Sequence, residues 1–125
     1  MLSRDEVQDN LCKSLGREYF VDVVELERCI CRDFGNGFAV EISQTHVADE
    51  FANASIYLWC ALDGDPFIVK NIRDVPRKAI HAVVEELYRQ SEQLISRGYI
   101  TRSRLYKLKS VYHYNERIGR LLGAE

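Results

Sequence analysis

Two polar turn signals, Gly35-Asn36-Gly37 and Asp63-Gly64-Asp65-Pro66, sit between runs of apolar and β-branched residues and constrain this chain more than any other feature. Glycine, asparagine and aspartate tolerate turn dihedrals, and Pro66 cannot extend a central ladder. The first signal predicts a hairpin of Cys29 to Asp33 with the alternating Phe38, Val40 and Ile42. The second predicts a hairpin of Ser55 to Leu62 with Phe67 to Ile72. The stretch from Tyr19 to Cys31 is ambiguous, since Phe20, Val23, Val24 and Glu27 also fit a helical spacing. Its β-branched and aromatic content favours a strand. Thr45 to Ala54 reads as a loop or one short helical piece.

Helical signals flank this region. Ser3 and Glu6 make an S-x-x-E capping box, Leu2 and Val7 are placed as a hydrophobic staple, and Gly16 follows Leu15 as a stop. From Pro76 the period changes: Ile80, Val83, Val84, Leu87, Ser91, Leu94 and Ile95 fall on one arc, with Asp74 as the expected cap and Gly98 as the end. A last helix is expected to begin at Thr101 or Ser103 and reach Leu122. The expected fold class is therefore α+β, one domain over residues 1–125. It consists of an N-terminal helix, about four antiparallel strands in two hairpins, and a C-terminal helical hairpin packed on the sheet.

A chain of 125 residues, 46% hydrophobic and 29% charged, can bury a core and is far from the composition of disorder. Met1 to Glu6 has no apolar segment of the kind a secretory signal needs, and no apolar run approaches the roughly eighteen residues that span a bilayer. The expectation is a cytoplasmic protein without a membrane partner, in which Cys12, Cys29, Cys31 and Cys60 are reduced thiols.

The near-neutral total of −2 conceals a charge split. Residues 1–65 carry thirteen acidic and five basic side chains, whereas residues 97–120 carry seven basic ones against Glu116 alone. Such asymmetry acts on partners and encounter rates rather than on the fold. On the expected last helix, Arg102, Tyr106, Lys109, His113, Arg117 and Arg120 recur at spacings of four, three, four, four and three, which places them in one basic stripe. That stripe suits nucleic-acid phosphates with Tyr106 as a stacking surface, or an acidic protein, or simple solvation. The acidic half suits competition for the basic groove of a nucleic-acid-processing protein, or solubility alone.

Chemistry-bearing motifs are weak. Cys29 and Cys31 would point to the same side of a strand, with Cys60, His46, His81 or His113 as conceivable further ligands, but a Cys-x-Cys pair lacks the knuckle spacing of common zinc sites. No metal site and no cofactor are expected. Ser43, His46, Asp49 and Glu50 lie close in sequence without any nucleophile elbow, zinc-protease pair or phosphate loop around them.

In Ile56 to Leu62 both alternating faces are largely apolar, which implies a central strand covered on both sides or a partner surface on one. The economical expectation is that the first helix covers the face the helical hairpin leaves. Otherwise Tyr57 and Trp59 become anchors for a protein partner or a homodimer. The functional expectation is a small non-catalytic binding or regulatory protein that occludes or modulates a protein partner. An inhibitor of a nucleic-acid-processing complex, such as a host-defence nuclease, is one form this would take. Its partner-binding residues would be Tyr57, Trp59, Arg102, Tyr106, Lys109, His113, Arg117 and Arg120. The alternatives are nucleic-acid binding by the basic stripe and a small enzyme with its site near His46.

Overall fold

The capping box at the N-terminus forms. Ser3 Oγ accepts from the Glu6 amide at 3.2 Å and Glu6 Oε1 from the Ser3 amide at 3.1 Å, starting α1 (Arg4–Leu15), which stops at Gly16. The computed structural model describes residues 1–62, 64–98, 104–105 and 107–115. After α1 come β1 (Phe20–Val24), β2 (Glu27–Asp33), β3 (Phe38–Ser43), β4 (Ala54–Cys60) and β5 (Phe67–Val75). A 3₁₀ turn (Arg77–Ala79) leads into α2 (Ile80–Ser96), and β6 (Ser110–His113) follows. The six strands form one sheet in sequence order, β1 to β5 as an antiparallel meander and β6 parallel to β5. A parallel neighbour needs a crossover, and α2 lies within it.

This architecture corrects the expected two hairpins and helical hairpin. An additional hairpin joins β1 to β2 through Glu25-Leu26, whose φ values of 49° and 71° are both left-handed although neither residue is glycine. At the other end, residues 107–115 of the expected last helix are not helical. Ser110–His113 is extended and pairs with Lys70 to Arg73, so Lys109 and His113 do not lie on a helix. The local sequence Ser-Val-Tyr-His is rich in β-forming residues, and the edge of β5 offers it a ladder that charge spacing cannot reveal. Asp74 does not cap α2 either. It lies in β5 at φ 61°, and its carboxylate accepts from His113 Nδ1 at 2.6 Å. Pro76 and the 3₁₀ turn intervene, and α2 starts at Ile80 with Ala79 at the cap position and no side-chain cap.

Alternation divides the sheet into two faces. Ile30, Ile42, Ile56 and Ile72 stand opposite one another across β2 to β5, each 0% exposed, and form the floor of the core. Ile80, Val83, Val84 and Leu87 of α2 are buried in the same cluster, and Cys12 of α1 joins it. Polar contacts give both helices the same side. Arg28 reaches α1, donating to Gln8 Oε1 at 2.7 Å and Asp9 Oδ1 at 3.0 Å, while Arg32 reaches α2, donating to Glu85 Oε2 at 2.7 Å. Residues four apart on a strand share a face, so α1 and α2 lie on one side of β2. The expectation that α1 covers the second face is thereby overturned.

The glycine-rich turn fixes α2 on the sheet. Asn36 Nδ2 donates to Ser91 Oγ at 3.0 Å, and Asn36 Oδ1 accepts from the Phe38 amide at 3.0 Å. Gly37 is at φ 93°, where a Cβ would also collide with the Leu62 side chain. Among the described residues no helix is long and apolar enough to cross a membrane.

Candidate functional site

The strand register that aims the isoleucines at the helices aims a second set of side chains away from them. In β2 the sequence Glu27-Arg28-Cys29-Ile30-Cys31-Arg32-Asp33 separates by alternation, with both arginines on the helix side and both carboxylates on the other. The cross-strand partners Asp22↔Cys29, Phe20↔Cys31 and Cys31↔Glu41 extend that outer face to β1 and β3. Glu41↔Tyr57 and Ala39↔Trp59 extend it to β4. Among the described residues neither helix covers this face. Phe20 and Val111 remain 45% and 57% exposed on it, and Tyr57, Trp59 and Ile68 are half-buried.

Tyr57 and Trp59 thus share one outward face of β4, and the backbone directly pairs them with Glu41 and Ala39. Lys109 precedes β6, and His113 lies in β6 with its ring on Asp74. Arg102, Tyr106, Arg117 and Arg120 lie outside the described residues. The structure therefore brings the two aromatic residues together and, among the described residues, places Lys109 and His113 outside any helix.

The centre of the outer face is a shallow groove of about 330 Å³. Phe20, Val24, Ala39, Trp59 and Pro66 supply its apolar lining, and Asp33 and Glu41 supply carboxylates. Arg32 and Val40 also border it, although the Arg32 guanidinium is held on the helix side by Glu85. Trp59 Nε1–H donates to Glu41 Oε1 at 3.0 Å, and the Cys29 thiol lies 3.6 Å from Glu41 Oε2. Burial pushes the Glu41 carboxyl above its ordinary value, and the nearby charges of Glu27 and Glu25 add to the shift, against the hydrogen bonds from Trp59 and Cys29.

Every carboxylate on the β1–β3 part of this face accepts from a neutral group. Asp22 takes the Val23 amide, Glu27 the Gln44 amide, Asp33 the Gly35 amide, and Glu41 the indole and thiol. Among the described residues no lysine or arginine makes an ion pair with any of the four.

Burial acts on both thiols of this face in the same direction. Burial, with Glu41 and Asp22 nearby, pushes Cys31 up to about 12, and burial together with Glu27 and Glu41 pushes Cys29 higher still. A protonated thiol is a poor nucleophile and a poor ligand. Cys60, opposite Phe38, faces the helices, so alternation separates it from Cys29 and Cys31. Among the described residues no group of three or more His, Cys, Asp or Glu could hold a metal ion. His46 Nε2 donates to Asp5 Oδ1, and this hydrogen bond holds the Asp5 carboxyl below its ordinary value. Asp49 accepts from the Phe51 amide, so among the described residues the hydrogen bonds of His46 and Asp49 run to separate partners.

Sequence reasoning missed Glu41, Asp33 and Phe20 as members of one site. The usable signal was the alternation in β2, which puts Glu27, Cys29, Cys31 and Asp33 on one side and Arg28, Ile30 and Arg32 on the other. No protein-family model, no curated protein and no solved structure matches this chain.

Proposed function

We propose that the protein is a non-catalytic binding protein that occludes or modulates a protein partner through the outer face of its sheet, with Tyr57 and Trp59 as anchors. The observation that carries this reading is the placement of both helices on one side, which leaves a central strand with two half-buried aromatic side chains facing outward. Tryptophan and tyrosine offer large contact area at small cost in side-chain entropy, and they dominate the energetics of protein interfaces. The carboxylates around them disfavour phosphate, which argues for a protein partner over a nucleic acid on this face.

Site-specific crosslinking in lysate tests the reading. A photoreactive phenylalanine analogue replaces Tyr57 in one preparation and the exposed Gln93 of α2 in another, both with nuclease treatment. The expected result is one defined protein captured from position 57 and not from position 93, with capture lost in Trp59→Ala. Capture of nucleic acid, or equal capture from both positions, would contradict it. Crosslinking to a second copy of the chain would identify the partner as self.

A further inference from the structure

We propose that the groove between Phe20, Ala39 and Trp59 is a receptor for an arginine side chain, so that the partner presents a basic segment to this face. The proposal rests on the outer face being the binding surface and names the chemistry that the face recognises.

The chain already holds one arginine in such an environment. On the helix side, Arg32 Cζ lies 5.5 Å from the ring centre of Tyr19, 5.4 Å from that of Phe34 and 5.8 Å from that of Tyr88. Glu85 closes the arrangement at 2.7 Å. Aromatic rings around a guanidinium with one carboxylate at its fork make a well-suited arginine environment, combining cation–π attraction with charge-assisted hydrogen bonds.

The outer groove has the same ingredients. Phe20 and Trp59 supply rings, Val24, Ala39 and Pro66 an apolar lining for the methylene stem, and Glu41 and Asp33 the carboxylates. Each Glu41 oxygen receives one neutral hydrogen bond, from Trp59 or from Cys29, and a carboxylate has about four lone-pair sites in all. Acceptor capacity therefore remains for a guanidinium. The half-buried charge of Glu41 has no cationic partner among the described residues, and neither has Asp33. An arriving arginine would compensate a carboxylate that burial currently disfavours, whereas a phosphate or an acidic peptide would meet repulsion from Asp22, Glu27, Asp33 and Glu41. Arginine fits better than lysine because its planar fork can stack on the indole while meeting the carboxylate.

Trp59 is the only tryptophan in the chain, so its fluorescence reports directly on the groove. The experiment titrates the full-length protein with synthetic nona-arginine, and in parallel with nona-lysine and nona-glutamate, at physiological ionic strength. The expected result is a saturable change with nona-arginine that weakens at least about tenfold in Glu41→Gln and in Asp33→Asn, the loss of one charge-assisted hydrogen bond. Nona-lysine should bind more weakly than nona-arginine, and nona-glutamate should give no change. Glu92→Gln, which removes the same charge from the exposed helix side, should leave the titration unaltered.

Absence of a saturable change in the wild type would overturn the proposal. Equal weakening by Glu92→Gln would do so too, by showing that only net charge matters, and so would equal affinity for the lysine peptide. Circular dichroism of each variant separates loss of binding from loss of folding. If the titration fails while crosslinking from position 57 still captures one protein, the arginine receptor falls and the protein-binding reading stands. If both fail, both fall.

Discussion

On the helix-covered face of the sheet the strand arginines have acids: Arg28 lies between Asp5 and Asp9, and Arg32 against Glu85 within three rings. On the outer face, among the described residues, Asp22, Glu27, Asp33 and Glu41 accept from amides, an indole and a thiol. Both faces are written into the same seven residues of β2, by alternation alone. The fold thus gives the helix side its ion pairs and leaves these four outer carboxylates without one among the described residues. A folded domain has little to gain from a half-buried carboxylate without a cation, so if the proposed binding face is correct, stability and binding should pull apart at Glu41.

The helix-covered face depends most on the isoleucine ladder. Ile56→Ala removes a fully buried side chain between β3, β5 and the helices and should cost about 2–5 kcal/mol, measured by urea unfolding. A cost near zero would mean that the helices do not pack on this face as described. Arg32→Ala should cost about 2 kcal/mol, since it deletes a charge-assisted hydrogen bond and contacts with three rings. Glu85→Gln should recover less than half of that deficit in the double variant if the rings matter beside the ion pair.

Two further changes should act in the stabilising direction. Replacing Glu25-Leu26 by Asn-Gly relieves two non-glycine residues of left-handed strain and should raise stability by about 1–2 kcal/mol, measured by urea unfolding. Leu26 is 99% exposed at that tip, so the substitution removes no core contact. The smallest expected effect is that of Glu41→Gln. The folded carboxyl titrates above its unfolded value, so the native state holds more protons across that window and stability falls as pH rises through it. The neutral variant should therefore melt a little higher than wild type at pH 8, and the gain should vanish once pH drops below the ordinary carboxylate range. The same variant should weaken nona-arginine binding at least about tenfold. A gain in melting temperature together with a loss of binding marks a group kept for recognition, and a variant that melts lower at pH 8 would argue that Glu41 is structural.

Much of the fold was legible where a local rule carries the information. The capping box, the stop at Gly16, the turn at Gly35-Asn36-Gly37 and the helical arc from Ile80 to Ser91 follow from backbone and burial requirements within a few residues. The turn at Glu25-Leu26 was hidden because it uses left-handed residues without the glycine or asparagine that normally announces them. β6 was hidden because four residues hold too little alternation to compete with the 4-3-4 spacing of Arg102, Tyr106, Lys109 and His113, and because its partner β5 is reached only through a long crossover. The site was half legible. Tyr57 and Trp59 follow from alternation in β4, but which side they face depends on where α1 packs, a non-local matter. Glu41 was lost among thirteen acidic residues of the N-terminal half until the register placed it against Trp59.

The most direct test of the two-faced account is an amide and indole NMR titration of the ¹⁵N-labelled protein with nona-arginine. The account predicts that the Trp59 Nε1–H resonance and the amides of β1 to β4 move together and saturate at one peptide per protein, while the amides of α2 around Glu85 stay fixed. Shifts centred on α2, or spread evenly over both faces, would contradict it.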